Sequence, residues 1–262
     1  MHRSPDSHKG ENGKVAIIGG SLHQHGAPIF SALAAEASGV DLLYLALPAL
    51  HQEVARMHSL NFQVHPFRGD ELATQDVASL LEMLATVDSA VMGPGLGRTP
   101  GAQNVIRALV ESATCPIVLD ASALQEWTLE AVKGKTAVLT PHLGELERLG
   151  TATAEIAARA SGAIVHLKGR IDTIAAPDGT VKEISGGNAG LTVGGTGDAL
   201  AGLICGLIAQ GTAPMDACVT ASTVMKRAGT VLFQEKGFAY TTKDVIGRIP
   251  HLLATVSTYA ER

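Results

Sequence analysis

Residues 15–47 read VAIIGGSLHQHGAPIFSALAAEASGVDLLYLAL, and this stretch carries the clearest signal of the fold class. Val15–Gly19 and Leu42–Leu47 are short, continuous apolar runs, which are typical of strands buried on both faces of a parallel sheet. Between them, Pro28–Ala37 has apolar residues spaced by three and four, as in a helix that packs on a sheet. The stretch therefore predicts a strand, a crossover helix and a second strand.

The same alternation continues along the chain and predicts an α/β layer fold. Further predicted strands are Ala90–Gly93, Ile117–Asp120, Ala137–Thr140 and Ile164–Leu167. Further predicted helices are Gln75–Thr86, Gly101–Ser112, Asp198–Ala209, Pro214–Gln234 and a final segment from Lys243. In Asp172–Ser185, two strand-like runs flank Pro177-Asp178-Gly179, which predicts a hairpin that adds an antiparallel edge to the sheet. No linker or repeat interrupts the pattern, so we predict a single domain over residues 1–262.

The composition is that of a folded globule and excludes several classes of partner. Hydrophobic residues are 46% of the 262 and charged residues 17%, with 29 glycines against 3% aromatics, which favours tight turns and close backbone contacts. The net charge of −5 and the scattered Lys and Arg residues exclude a nucleic-acid surface. The three cysteines form no C-x-x-C pair, the start lacks a secretory signal, and no apolar stretch is long enough for a membrane helix. We therefore predict a cytoplasmic protein.

Two glycine-bearing motifs follow predicted strands. Gly19-Gly20-Ser21 comes after the first strand and leads through Gly26-Ala27-Pro28 into a helix, and Gly93-Pro94-Gly95-Leu96-Gly97 follows the strand that ends near residue 93. Ligands of open α/β sheets bind beyond the carboxyl ends of the strands, and glycine lets backbone N–H groups approach a ligand closely. Each motif alone is equally well explained as a structural turn.

The strongest motif is Gly194-Gly195-Thr196-Gly197-Asp198-Ala199-Leu200-Ala201-Gly202, a glycine-rich loop that enters an apolar helix. The unpaired N–H groups and the dipole at a helix N-terminus bind anions. The Asp198 carboxylate would repel a phosphate unless it caps the helix, binds a metal, or takes a proton from a hydroxyl that attacks the phosphate. Neither the P-loop nor the dinucleotide fingerprint fits, because Asp198 follows Gly197 and Leu200 takes the last position of the fingerprint. The motif indicates another kind of nucleotide site.

Two further segments follow predicted strands and carry charged or titratable side chains. Thr140-Pro141-His142-Leu143-Gly144-Glu145 places a histidine where a strand stops and a helix starts, although such a histidine is also a common cap or packing residue. Lys168-Gly169-Arg170-Ile171-Asp172 presents a cation, exposed backbone and an acid together, and a solvated turn explains it as well. His23 and His25 have a spacing that suits a metal, but nothing else in the sequence indicates zinc.

Taken in order, these motifs resemble the ADP- or ATP-dependent NAD(P)H-hydrate dehydratases of the ribokinase-like superfamily. The resemblance extends from His8-Lys9-Gly10 to Val193–Asp198 and so covers nearly the whole chain. It implies a central, mostly parallel sheet with helices on both faces. It also implies a hydro-lyase that repairs hydrated NADH or NADPH: a nucleotide phosphorylates the ring hydroxyl, and phosphate then leaves. A homotetramer is further implied, with ADP favoured over ATP.

The resemblance assigns roles to particular residues. Asp198 would contact the hydroxyl of the hydrate as base or orienting group, and the loop containing Gly195 and Gly197 would stabilise the transferring phosphoryl group. Mg²⁺ would bridge the nucleotide phosphates, although the sequence indicates no metal ligands. The residues implied to hold the nucleotide are Lys168, Gly169, Arg170, Ile171, Asp172, Thr196 and Gly197. The residues implied to line the pocket of the hydrate are Ala27, Gly95, Gly97, His142 and Asp198.

Three segments depart from the family pattern. Gln24-His25 stands where the family carries tyrosine, Gly39-Val40-Asp41 replaces Gly-Ala-Gly, and Asn188-Ala189-Gly190-Leu191 replaces Asn-Pro-Gly-Met. These changes bear on the fit of the hydrate, because the phosphate loop and its aspartate are intact. Two other functions stay open: a ribokinase-like kinase for a vitamin precursor or sugar, and a nucleotide-binding regulatory protein without catalysis.

Overall fold

The computed structural model describes residues 3–260, with the side chains of residues 3–255. Its strands are β1 (Lys14–Ile18), β2 (Leu42–Pro48), β3 (Phe62–Phe67), β4 (Ser89–Met92), β5 (Ile117–Leu119), β6 (Ala137–Leu139), β7 (Ile164–Leu167), β8 (Asp172–Ala175) and β9 (Val181–Ile184). Its helices are α1 (Gly26–Ala37), α2 (Gln52–His58), α3 (Val77–Leu84), α4 (Pro100–Ser112), α5 (Thr128–Ala131), α6 (Leu143–Arg148), α7 (Ala154–Ser161), α8 (Thr196–Ala209), α9 (Pro214–Lys236) and α10 (Thr242–Ala260). No helix among these residues is long and apolar enough to cross a membrane.

All these strands belong to one sheet with the order β3-β2-β1-β4-β5-β6-β7-β8-β9. Neighbouring strands from β3 to β7 are parallel, whereas β8 and β9 pair antiparallel. The predicted mostly parallel sheet and its antiparallel hairpin edge are therefore confirmed. The strand order reverses at β1, so a crevice opens between the carboxyl ends of β1 and β4, where α/β sheets bind ligands.

Helices cover both faces of the sheet, as the resemblance implies. Successive residues of a strand point to opposite faces, so Ile17 belongs to a core with α1, α8, α9 and α10, whereas Ile18 belongs to a second core with α3, α4 and α7. Both side chains are fully buried. The sheet is thus buried on both sides, which explains why its inner strands read as continuous apolar runs.

Four elements were not predicted from the sequence: β3, α2, α5 and α7. The strand β3 reads FQVHPF and lies at the edge of the sheet, with its two phenylalanines buried and the residues between them more exposed. Neither a continuous apolar run nor a clean alternation is present there.

The helix predicted over Gln75–Thr86 is a 3₁₀ turn, Thr74–Asp76, followed by α3. The Asp76 carboxylate accepts a hydrogen bond from the Ala73 N–H and reinforces the turn.

Helix α8 lies unusually close to α1. A Cβ atom on Gly202 would lie 2.0 Å from the carbonyl oxygen of Ser31, so only glycine allows this approach. The Ser31 hydroxyl donates a hydrogen bond to the carbonyl of Asp198 at 2.8 Å. These contacts hold the N-terminus of α8 at the carboxyl edge of the sheet.

Candidate active site

The carboxyl ends of five parallel strands bring the sequence motifs together. Gly19 follows β1, Gly93 follows β4, Asp120 follows β5, Thr140 follows β6 and Lys168 follows β7. Because parallel strands end at the same edge of a sheet, all these turns lie on one side of the molecule, next to the N-terminus of α8.

The glycine-rich loop before α8 is built around Gly195. This residue has a φ of +98°, a backbone conformation that residues other than glycine rarely adopt. A Cβ there would lie 2.4 Å from the ring of Phe30. The Thr196 hydroxyl donates to the carbonyl of Leu191 at 2.7 Å and ties the loop to the preceding turn. Both observations explain why the loop requires glycine and threonine at these positions.

The N-terminus of α8 offers free hydrogen-bond donors. Gly195 is the N-cap and makes no side-chain cap, and within the described residues the N–H groups of Gly197 and Asp198 donate to no protein acceptor. One sequence interpretation made Asp198 the cap of this helix. The described part of the structure shows no such capping hydrogen bond. Free donors and the helix dipole together form an anion site.

Asp198 carries a strongly perturbed carboxyl group. Burial raises the pKa of Asp198 to about 7, the nearby Asp120 and Glu145 carboxylates contribute to the rise, and the Lys168 ammonium opposes it. Near neutral pH both forms of this carboxyl are populated, and the ionised form is a better base than an ordinary aspartate.

Lys168 lies at the centre of the charged groups. Its Nζ donates to Oδ1 of Asp120 at 2.7 Å and lies 3.7 Å from Oε2 of Glu145. Burial opposes the charged ammonium, but Asp120, Glu145 and Asp198 together hold the pKa of Lys168 above its usual value. The Thr140 hydroxyl donates to the same oxygen of Asp120 at 2.9 Å and fixes its position.

Sequence reasoning missed Asp120 and Glu145 as members of the site. Both are buried; Asp120 lies outside the glycine-bearing motifs, and Glu145 belongs to the 140–145 segment but was given no role there. The available signal was position: Asp120 directly follows an apolar strand, and Glu145 lies in the first turn after His142. Their common contact with Lys168 is visible only in the folded chain.

His142 is the N-cap of α6. Its Nδ1 accepts a hydrogen bond from the Glu145 N–H at 3.3 Å, and the His142 N–H donates to Oε2 of Glu145 at 3.0 Å, which forms a reciprocal capping box. The ring is nevertheless 58% exposed. The side chain thus caps the helix and also presents an open face to a ligand.

A cleft of about 1030 Å³ opens beside Lys168, with an apolar wall that includes Leu191, Leu200 and Met225. All the residues that the resemblance assigns to the nucleotide line it: Lys168, Gly169, Arg170, Ile171, Asp172, Thr196 and Gly197. His142 lines the same cleft. A cavity of this size and mixed polarity suits a nucleotide.

The carboxylate of Asp172 is engaged inside the protein. It accepts hydrogen bonds from the Gly169 N–H at 3.0 Å, the Ser222 hydroxyl at 2.6 Å and Nε2 of His166 at 3.1 Å. Burial opposes ionisation, but these donors bring the pKa of Asp172 down to about 2. The side chain therefore holds the shape of the 168–172 loop from within.

The residues assigned to the hydrate fall into two places. Ala27 and Gly95 meet at the crevice between β1 and β4, where a Cβ on Gly95 would lie 3.2 Å from that of Ala27. Gly97, in the same turn as Gly95, is buried beneath the carboxylate of Glu71. His142 lies elsewhere, after strand β6. Asp198 connects the two places, because its carbonyl contacts α1 and its carboxyl interacts with the groups around Lys168.

The described residues contain no group of three or more His, Cys, Asp or Glu side chains placed to hold a metal ion. The carboxylates near Asp198 suit Mg²⁺ chemically, but two of them, Asp120 and Glu145, already share the Lys168 ammonium. Mg²⁺ is commonly bound through one or two carboxylates together with the phosphates of a substrate. The site therefore fits a magnesium ion that arrives with a nucleotide, not one held by a dedicated protein cage.

The fold is similar to that of a ribokinase-like superfamily protein from Enterococcus faecalis V583, with a TM-score of 0.86 at 24% identity over 97% of this chain and 91% of that one. The solved structure of the ADP/ATP-dependent NAD(P)H-hydrate dehydratase of Bacillus subtilis, co-crystallised with ATP and Mg²⁺, superposes with a TM-score of 0.82 at 24% identity, over 97% of this chain and 93% of that one. That similarity establishes the fold. The family model for NAD(P)H-hydrate dehydratase matches residues 15–251, and the chain belongs to this family.

Two curated relatives support the same assignment. The ADP-dependent (S)-NAD(P)H-hydrate dehydratase of Cenarchaeum symbiosum is 35% identical over 264 residues, which cover 96% of this chain and 92% of the relative. The bifunctional NAD(P)H-hydrate repair enzyme Nnr of Pyrobaculum aerophilum is 36% identical over 266 residues, or 96% of this chain. The chain spans about half the length of that bifunctional relative, 52%. The family resemblance inferred from the motifs is confirmed.

Proposed function

We propose that this chain is an ADP-dependent NAD(P)H-hydrate dehydratase, which converts hydrated NADH or NADPH back to the reduced cofactor. The observation that carries the proposal is the position of the Asp198 carboxyl at the free N–H groups of α8, beside Lys168 and the nucleotide-sized cleft. The family assignment and the ADP-dependent relative that matches almost end to end support the choice of substrate.

The arrangement suits the chemistry of the reaction. Hydroxide is a poor leaving group, so the hydroxyl of the hydrate is first phosphorylated. Asp198 accepts the hydroxyl proton while that oxygen attacks the terminal phosphorus of the nucleotide, whose bond to the bridging oxygen breaks. The free N–H groups of Gly197 and Asp198 and the Lys168 ammonium stabilise the negative charge on the transferring group. The ring nitrogen then donates its electrons, the carbon–oxygen bond breaks, phosphate leaves, and loss of a ring proton restores the double bond.

The remaining residues divide between the two ligands. The 168–172 loop, Thr196 and Gly197 hold the nucleotide, while Ala27, Gly95, Gly97 and His142 contact the hydrate. Mg²⁺ would bind through the nucleotide phosphates, where it supplies further positive charge. From the resemblance alone we also infer a homotetramer and a preference for ADP over ATP. From the sequence pattern and composition we infer one domain over residues 1–262 and a cytoplasmic location.

The direct test uses chemically hydrated NADH with Mg²⁺ and either ADP or ATP. Return of the reduced nicotinamide absorbance, with one phosphate released per turnover, is the expected result. Consumption of nucleotide without that return would instead favour a kinase. If neither nucleotide restored the absorbance, the proposal would be wrong.

The rate should increase with pH through neutrality. Asp198 acts as a base only when ionised and its pKa is about 7, so kcat/KM for the hydrate should be about tenfold higher at pH 8 than at pH 6. Asp120 is one of the groups that raise this pKa, so Asp120→Asn should move the midpoint to lower pH. A flat profile in the wild-type enzyme would contradict the role of Asp198.

Two substitutions separate the roles of His142. His142→Ala removes both the exposed ring and the cap of α6, so it should raise KM for the hydrate about fivefold and reduce stability by ~1 kcal/mol. His142→Asn keeps a capping oxygen and should raise KM without the loss of stability. KM values unchanged in both variants would leave His142 as a cap alone.

A further inference from the structure

Lys226 of α9 is a buried lysine whose ammonium contacts the 168–172 loop. The residue is 6% exposed, and its Nζ lies 3.1 Å from the carbonyl oxygen of Gly169, 3.2 Å from that of Arg170 and 3.2 Å from Oδ1 of Asp172. An ammonium has three N–H donors; two of them are given to these carbonyls, and the charge pairs with the Asp172 carboxylate. Lys226 lines the cleft, but its contacts are with the 168–172 loop.

These contacts set the direction of two peptide groups. In a planar trans peptide, the N–H that follows a carbonyl points opposite to it. Because the carbonyls of Gly169 and Arg170 point to Lys226, the N–H groups of Arg170 and Ile171 point away from it. Within the described residues, neither N–H donates to a protein acceptor, and both residues line the cleft. Two adjacent free amides with the same direction form an anion-binding nest.

The charge of Lys226 is balanced by the buried carboxylate of Asp172, which belongs to the same loop. The Asp172 carboxylate is buried and ionised, and Lys226 is the cation beside it. Ser222, one turn before Lys226 on α9, holds the second carboxylate oxygen at 2.6 Å. Helix α9 therefore fixes the loop through both its carbonyls and its acid.

We propose that Lys226 is a positioning residue that presents the N–H groups of Arg170 and Ile171 to a phosphate of the nucleotide. This proposal rests on the proposed function, because it assumes that the cleft binds a nucleoside diphosphate. Lys226 acts on the loop, and the loop amides contact the ligand.

The test compares Lys226→Met with variants that control for charge. Removal of one partner of a buried ion pair can prevent folding, so the double variant Lys226→Met/Asp172→Asn, which removes both charges, is made as well. Lys236→Met is the matched control, since Lys236 is also on α9 and pairs with Asp244 at the surface. Cooperative thermal unfolding shows which variants fold.

Calorimetry with ADP and with adenosine, which lacks phosphate, provides the first measurement. Both Lys226 variants should bind ADP at least tenfold more weakly, while adenosine affinity and the Lys236→Met control stay within about threefold of wild type. An equal loss for ADP and adenosine, or an unchanged ADP affinity, would overturn the proposal. If the wild-type protein bound no ADP, the proposed function itself would fail.

Hydrogen exchange without ligand provides the second measurement. The Gly169 N–H donates to Asp172 in the folded loop, so exchange in residues 168–172 should become at least tenfold faster in the Lys226 variants. Unchanged exchange would show that Lys226 does not order the loop and would refute the proposal whatever the nucleotide affinity.

Discussion

Replacement of Asp198 by asparagine should lower kcat for dehydration by about 10³-fold while ADP affinity stays within about threefold of wild type. The asparagine keeps the size of the side chain but cannot accept the hydroxyl proton. In the proposed function the nucleotide phosphate binds the N–H groups at the start of α8 and Lys168, and the substitution leaves these groups in place. Steady-state kinetics with hydrated NADH and calorimetry with ADP measure the two quantities separately.

The same variant should be more stable than wild type at alkaline pH. The pKa of Asp198 is about 7 in the folded protein, above its usual value of 3.8. The unfolded chain therefore loses this proton at lower pH than the folded protein does, and the free energy of unfolding falls as pH increases from about 4 to 7. Asp198→Asn should therefore gain roughly 2 kcal/mol of unfolding free energy at pH 8 and nothing at pH 3. Asp216→Asn, in the first turn of α9 and exposed, is the control and should show neither effect. A loss of ADP affinity in Asp198→Asn would contradict the assigned role.

Lys168→Met should reduce both nucleotide affinity and stability. The variant leaves the buried Asp120 and Glu145 without their cation, which should cost about 3 kcal/mol of unfolding free energy. It also removes a positive charge from the cleft, so ADP should bind at least tenfold more weakly. Denaturant unfolding and calorimetry measure these effects.

A second substitution separates charge balance from ligand binding. In Lys168→Met/Asp120→Asn the closest unpaired carboxylate is neutralised, so part of the lost stability should return while ADP affinity stays low. Lys182→Met on the exposed strand β9 controls for loss of a lysine. Normal ADP affinity in the double variant would show that Lys168 serves only to balance the buried acids.

Most of the fold could be predicted from the chain because its inner strands are continuous apolar runs. Burial between two helical layers imposes that pattern locally, as Ile17 and Ile18 illustrate with their opposite faces. The edge strand β3 lacks it, since an edge strand with more exposed central residues does not need a continuous apolar run. Short helices such as α2 and α7 extend over too few turns to show a clear period.

Only part of the candidate site could be predicted from the sequence. Loop residues such as Gly195 are constrained by local backbone geometry and by a close neighbour, so they stand out as a motif. Asp172 also stood out, but its carboxylate proves to be turned towards His166 and Ser222 inside the protein. The direction of a side chain depends on the helix that packs behind it, which a local pattern does not contain.

The linear order of residues was sufficient to establish the α/β class, the hairpin edge, the glycine-rich loop and the family, because these depend on local periodicity and on motif order. The tertiary structure alone decided which charges meet. Asp120, Glu145, Lys168 and Asp198 come from separate segments, yet they share one charged centre. The raised pKa of Asp198 follows from burial and from Coulomb interactions through space. Both depend on distances that only the folded chain sets.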